Sequence, residues 1–439
     1  MRDRRRYVLL LSMVLAEMLC LSAVYSQLTN SIIISSTGKI SANVTARSGS
    51  ARDIQNAVDK IAATGGKGNV YIPTGIFDFV NVNESWVTVS IPAGVNVMAE
   101  TLPDMDPSWN NRFPLTCHTV LKLPYDVQSG PVDDDVKTWF TITGNGDSTR
   151  PSRFSGIELQ GYRSIQNSSV QILSAIAITQ VMDFRVDHCI FENTALGVGA
   201  DGGATAKCRG VFDHNKFINT VGWTDMDGYG LLTVGYGIQP IMYDTQYWDA
   251  NITHILGKYL DYSIYMEDNY LSKWRHCISA GSGVHAVFRY NVIDADYADG
   301  SIDVHGMGLS YEGGRCLEIY NNTIQNAIND GGWDWNGVWH SDKGWSYGNN
   351  RAINYRGGGG VCFNNTVDAS TYAWLASITN DQPGISGGSV HDLWIWSNYG
   401  QTSLSVNGPV QDVDYYLHAP TAFVYTPYTY PHPLVQNST

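Results

Sequence analysis

The chain is short of charge. Only 15 % of its 439 residues are Asp, Glu, Lys or Arg, and the acids outnumber the bases 41 to 27, leaving a net charge of −14. Nucleic-acid binding needs a basic face for phosphate, so this balance argues against that class of partner. A polyanionic polysaccharide is disfavoured only mildly, because a local basic groove or a bridging cation can offset the mean charge. Long apolar runs are also missing, and beyond the N-terminal segment none is long enough to span a membrane. Cysteine is sparse, seven in all with no Cys-x-x-Cys pair, which leaves zinc without a ligand pattern. Stretches of helical periodicity are scarce, whereas Gly, Asn, Thr, Tyr and Trp are plentiful, as in an all-β chain.

What the sequence does have is a repeat. SIYMEDNYLS, AVFRYNVIDA and CLEIYNNTIQNA align on Asn269, Asn291 and Asn322. Met266, Phe288 and Ile319 stand three residues earlier, and Leu271, Ile293 and Ile324 two residues later. The frame extends to Phe212, Asn215 and Phe217, to Cys362, Asn365 and Val367, and to Val186 and Phe191 with Cys189 in the Asn place. Short strands closed by a turn and repeated every ~20–30 residues mark a parallel β-helix, a single-chain solenoid. One coil cannot bury its own inward side chains, so coils stack at about 4.8 Å and like residues sit on like. An Asn column can hydrogen-bond along the stack and tolerates a left-handed turn.

The first 26 residues, a basic MRDRRR followed by an apolar stretch and small residues at Val24–Ser26, read as a secretory signal, with a single N-terminal membrane anchor as the competing reading. The mature chain would then be secreted or displayed on the cell surface, with no membrane segment left. Six cysteines lie beyond the signal, an even number that permits disulfides. Cys189 and Cys362 nevertheless occupy repeat columns, where a buried thiol serves equally well. Glycosylation sequons at Asn43, Asn83, Asn167 and Asn251 suit a secreted glycoprotein. Residues 27–49 read as an extended leader. Ser50 then N-caps a helix whose apolar face is Ile54, Ala57, Val58 and Ile61, and Gly65-Gly66 ends it. An amphipathic helix there suits a cap over the first coil, followed by the strand VYIP and the turn PTGIF.

The helix, the Gly-Gly, the VYIPTGIF stretch and the NNT-type turns together resemble the pectin-lyase-like superfamily of right-handed parallel β-helices. The resemblance covers residues 50–400 and implies that fold. It does not imply one activity, because the superfamily spans lyases, glycoside hydrolases, epimerases, tailspikes and adhesins. The paired Asp-Asp and Gly-His-Gly of polygalacturonase-like hydrolases are absent. VDHC at 186–189 resembles a pectate-lyase motif, but its Asp falls on an ordinary repeat position, so no catalytic role is carried over from it.

Two long interruptions break the coils. At 221–258 the 54 residues between Asn215 and Asn269 suggest one extra coil plus a loop, and 329–350 carries Trp333, Trp335, Trp339 and Trp345. Loops on a rigid scaffold often carry function, and aromatic faces stack on sugars, so these tryptophans are candidate substrate-binding residues. PVDDDVK at 131–137 could hold calcium, although three adjacent acids ordinarily make a solvated turn. Residues 401–439 are rich in Tyr and Pro and read as an extended, non-helical arm laid along or over the coils.

A second column aligns Ile278, Ile302 and Ile353, and three residues on it reads Gly281, His305 and Arg356. A packing column has no reason to change its chemistry in this way. Asp303, Arg275 and His276 lie beside it, and the same frame brings in Asp201. Arg275, His276, Asp303, His305, Arg356 and Asp201 are therefore the candidate catalytic set. Elimination needs a base and a cation to neutralise a uronate carboxylate, whereas hydrolysis needs two carboxyl groups, for which Asp201 and Asp303 offer a pair. Structural bonding to the next coil is the competing role for each residue. Asp225, Asp227, His188 and His214 are weaker candidates, the two histidines recurring in register as a stack would. The expected function is polysaccharide binding and cleavage in a lateral groove, with a lyase ahead of a glycoside hydrolase. The alternative is a non-enzymatic adhesin or an assembling structural subunit.

Overall fold

The computed structural model describes residues 32–34, 40–80, 87–122, 137–161, 173–194, 196–202, 207–219, 236–241, 251–274, 276–281, 283–295, 299–304, 314–327, 332–333, 339–340, 351–380 and 389–436. Its strands wind into a right-handed parallel β-helix with three long sheets of thirteen, ten and ten strands. One coil shows the plan. Ser263–Glu267 lies in sheet 1, Tyr270–Ser272 in sheet 2 and His276–Ala280 in sheet 3, and His285–Arg289 opens the next coil in sheet 1.

The inward column pairs in the expected register. Val186, Phe212, Met266, Phe288, Ile319 and Cys362 are successive partners, and all are fully buried. So are Phe191, Phe217, Leu271, Ile293, Ile324 and Val367 on sheet 2. Burying each large apolar side chain contributes roughly 1.5–3 kcal/mol, and only a neighbouring coil can provide that burial.

The Asn column is a continuous ladder. Asn291 Oδ1 accepts from the backbone N of Asn269 at 2.9 Å and from its Nδ2 at 3.0 Å, and the pattern repeats from Asn215 through Asn322 and Asn365 to Asn398. Cys189 tops the ladder, its N donating to Asn215 Oδ1. The residue before each ladder member adopts the left-handed conformation. His188, His214, Asp268, Tyr290, Asn321, Asn364 and Ser397 have φ between 51 and 58°.

Several expectations are corrected. Asn215 and Asn269 are adjacent rungs, so the long insertion adds no coil. It lengthens one coil on both sides of the sheet 3 strand Tyr236–Ile241, and residue spacing alone cannot tell loop from rung. The solenoid starts before the helix. Ile40–Thr45, assigned to the leader, pairs in parallel with Gly68–Ile72. The helix Ala51–Ala63 is capped by Ser50 and packs Ile54, Ala57, Val58 and Ile61 over the first strands. Rungs also continue past 400, to Leu404–Asn407 and Tyr415–Tyr416. The cysteines at 117, 189, 208, 277, 316 and 362 are buried free thiols.

The C-terminal arm crosses the outer face of sheet 1. There Tyr265, Tyr320, Phe363 and Trp394 join residues of 252–260 and Phe423, Tyr425, Tyr428 and Leu434 in a second apolar cluster. The arm ends in a single helical turn, Pro433–Gln436, where none was expected. Proline leads that turn, a position at which its missing N–H costs nothing.

Candidate functional site

On sheet 3 the predicted register is present. Ile278 pairs with Ile302 and Ile302 with Ile353, which sets Ser279, Asp303 and Asn354 in one outward column. Asp303 is fully buried. Arg356 grips it bidentately, Nε to Oδ1 at 3.1 Å and Nη2 to Oδ2 at 2.7 Å, and Asn354 Nδ2 adds a bond at 2.9 Å. His276 is also buried, its Nδ1 2.6 Å from the Gly300 carbonyl. Both residues thus bond to a neighbouring rung. Asp201 lies three strands up the sheet from Asp303 and two residues along in register, more than about 14 Å away at the strand spacing, too far for a hydrolytic pair of carboxyl groups. Arg275, His305, Trp335, Trp345, Asp225, Asp227 and residues 131–136 lie outside the described residues. Trp333 and Trp339 pair directly across a short antiparallel ladder.

A Ser263–His285–Glu318 line resembles a nucleophile–base–acid relay. Ser263 Oγ is 2.8 Å from His285 Nδ1, and His285 Nε2 is 2.9 Å from Glu318 Oε1. All three are fully buried. Glu318 also accepts from Gly257 N and the Tyr425 hydroxyl, both at 2.6 Å. The line fastens the arm and the 251–260 segment to the coil and has no access for a substrate.

The accessible chemistry sits at the corner between sheets 1 and 2, above the left-handed column. A cleft of about 380 Å³ opens there, lined by Arg112, His214, Asp268, Tyr290, Asn321 and Tyr430 among others. The coils supply His214, Asp268, Tyr290 and Asn321 one above another, because each precedes a ladder asparagine. Arg112 comes from the 104–116 hairpin and Tyr430 from the arm. Arg112 Nη2 donates to Asp268 Oδ1 at 2.9 Å and to the Tyr290 carbonyl, and the Tyr430 hydroxyl donates to Asp268 Oδ2 at 2.8 Å. Both oxygens of the one carboxylate are therefore engaged.

His214 Nδ1 bonds Asp213 Oδ2 at 2.9 Å, and its ring stacks on His188 with centroids 5.1 Å apart and planes 7° from parallel. The register stacking expected of these histidines is present, and His214 also lines the cleft. Burial pushes the His214 imidazole down, but the bond and charge of Asp213, helped by Asp268, outweigh it and hold the group above the ordinary histidine value.

Sequence reasoning passed over Arg112, Asp268, Tyr290, Asn321 and Tyr430. A signal existed for the coil residues, since the position before Cys189 and before each ladder Asn reads His, His, Asp, Tyr, Asn, Asn, Ser, a column of changing chemistry. No local signal brings Arg112 or Tyr430 to it.

No family model matches the chain, and no curated protein does. Among solved structures it is similar to an alginate lyase from Paenibacillus sp. str. FPU-7, at 11 % identity, over 85 % of this chain and 98 % of that one, with a TM-score of 0.34. It is similar also to the tailspike protein of E. coli bacteriophage HK620, at 12 % identity, over 87 % and 60 %, with a TM-score of 0.43. A third is PfbA, a surface adhesin of Streptococcus pneumoniae, at 12 % identity, over 83 % and 87 %, with a TM-score of 0.33. At such identities the fold rests on the strand pairing described above, and the site on its own geometry.

Proposed function

We propose that this chain binds a polysaccharide containing acidic sugars across the corner cleft and cleaves it by β-elimination. The observation that supports this reading is the donor-rich lining: Arg112, His214, Tyr290 and Asn321 share the cleft with a carboxylate whose own oxygens are already taken. Such a site has hydrogen-bond donors to spare for a sugar carboxylate. Hydrolysis needs two carboxyl groups free to act, and among the described residues this cleft has one, ion-paired.

In elimination, a base takes the proton from the carbon next to the sugar carboxylate, that electron pair becomes the new C=C bond, and the glycosidic C–O bond breaks. The leaving oxygen then takes up a proton. Neutral His214 is the base the cleft offers, the Tyr290 hydroxyl the acid, and Arg112 the group that neutralises the carboxylate, while Asn321, three rungs from His214, is placed for a neighbouring sugar.

Incubation with a panel of polyuronates tests the reading. Elimination yields ultraviolet-absorbing unsaturated ends, and His214→Ala or Arg112→Ala should reduce their rate of formation by about 100-fold or more. New reducing ends without that absorbance would replace elimination by hydrolysis. Binding without either product would leave a non-enzymatic saccharide-binding protein.

A further inference from the structure

The coils and the hairpin leave one side of the cleft to the C-terminal arm. Tyr430 stands there, its ring stacked on Tyr290 with centroids 3.8 Å apart and planes 24° from parallel. Its hydroxyl holds Asp268 Oδ2 at 2.8 Å, opposite the grip of Arg112 on Oδ1. The arm is fixed on either side of this residue. Arg289, fully buried, donates to the carbonyls of Tyr428 at 2.7 Å and Thr429 at 2.8 Å while its Nε and Nη2 hold Glu267. Glu267, equally buried, accepts from the backbone N of His432 at 2.8 Å. These bonds set the arm's register, so Tyr430 cannot slide along the coil. Tyr430 itself remains 40 % exposed, while its anchors on the coil have no exposure at all. A ring locked in register, stacked on Tyr290 and lying 5.3 Å from the Arg289 guanidinium carbon, yet still partly exposed beside the cavity, is a fixed wall against which a sugar can pack.

We infer that Tyr430 is the specificity-determining wall of the cleft, packing against one sugar ring and limiting what enters beside Asp268. The inference rests on the saccharide reading of the cleft. A coil without the arm would carry the same donors but present them on an open shelf.

The test compares Tyr430→Ala, Tyr430→Phe and, as a control anchored elsewhere, Tyr425→Phe. Each is assayed for binding to defined polyuronate oligosaccharides. Each is also placed in a Cys20→Ser, Thr323→Cys background and labelled with a bulky maleimide. Thr323 lines the cleft and the described native cysteines are buried, so the added thiol reports access. Melting temperatures establish that all variants are folded.

Removing the ring should weaken oligosaccharide binding about ten-fold and speed labelling by a similar factor, the scale of one lost aromatic contact. Tyr430→Phe keeps the ring and should restore both to within about three-fold, and Tyr425→Phe should change neither. Unchanged labelling, or unchanged binding, in Tyr430→Ala overturns the wall whatever the ligand. Faster labelling in a protein whose wild type binds no polyuronate overturns instead the saccharide reading, and with it the role in specificity.

Discussion

Two columns run side by side along the turn between sheets 1 and 2, a single residue apart. The first, Asn215, Asn269, Asn291, Asn322, Asn365 and Asn398, is uniform in chemistry, and its members from Asn215 to Asn365 are buried. The second, from His188 through Tyr290 to Ser397, shares one backbone conformation, but its side chains are basic, acidic, aromatic and amide in turn. The ladder satisfies backbone and side-chain groups of three consecutive coils, so any other side chain there leaves buried partners unpaired. The left-handed column needs only a tolerable positive φ, and its side chains, Asp268 aside, are at least partly exposed. Stability fixes one column, and chemistry is free to collect on the other.

The largest difference should come from breaking the ladder. Asn291→Ala takes from Asn269 N and the Met266 carbonyl the side-chain partner they have in the ladder, while Asn269 Nδ2 keeps its bonds to the Phe212 and Glu267 carbonyls. Each stranded buried group costs about 1–3 kcal/mol, partly relieved by relaxation, so the expected loss is about 3 kcal/mol in denaturant unfolding. Tyr290→Ala, its neighbour in the other column, should cost about 1 kcal/mol yet abolish most saccharide binding. Equal stability losses for the two would show that the columns do not divide the work in this way.

How much of this was legible beforehand follows the same division. The inward apolar columns and five ladder asparagines could be aligned because burial holds their chemistry constant. Asn398 escaped because its strand brings tryptophans, Trp394 and Trp396, to the outward positions where earlier coils carry Tyr265 and Glu267, Val287 and Arg289, or Glu318 and Tyr320. The column of changing chemistry that the Ile278, Ile302 and Ile353 frame exposes lies on sheet 3, where Asp303 and His276 bond neighbouring rungs. The corner cleft stayed hidden because Arg112 and Tyr430 reach Asp268 from 156 and 162 residues away, a closure that only the assembled coils create.

A smaller, pH-dependent effect should separate the columns again. His214 is held above the usual histidine value, so its favourable charge interactions are fully present below the unfolded value and are lost as pH rises through the folded one. Binding of an acidic oligosaccharide should weaken about ten-fold over that rise, as a cation leaves the cleft. Turnover per bound substrate should rise over the same interval, because the neutral imidazole is the base. In pH profiles KM and kcat should therefore climb together, and His214→Gln should flatten the binding curve. A wild-type binding curve that is flat across this range would remove His214 from the ligand's surroundings.

The smallest expected effect is the sharpest control, because it uses one residue type twice. Asn364 and Asn365 are consecutive asparagines, the first exposed with φ 54° and the second fully buried in the ladder. Glycine adopts the left-handed conformation freely, so Asn364→Gly gains from relaxed backbone about what it loses in unfolded-state entropy and should fall within about 0.5 kcal/mol of wild type. The same substitution at Asn365 removes the acceptor for Asn322 N and Nδ2 and the donor to the Ile319 carbonyl, and should match the Asn291 loss. Side-chain identity and the glycine introduced are common to both variants, so the gap between their unfolding midpoints isolates what the ladder position contributes. A gap near zero would mean that the coils are held by their apolar interior alone, and that the uniformity of the asparagine column needs some explanation other than stability.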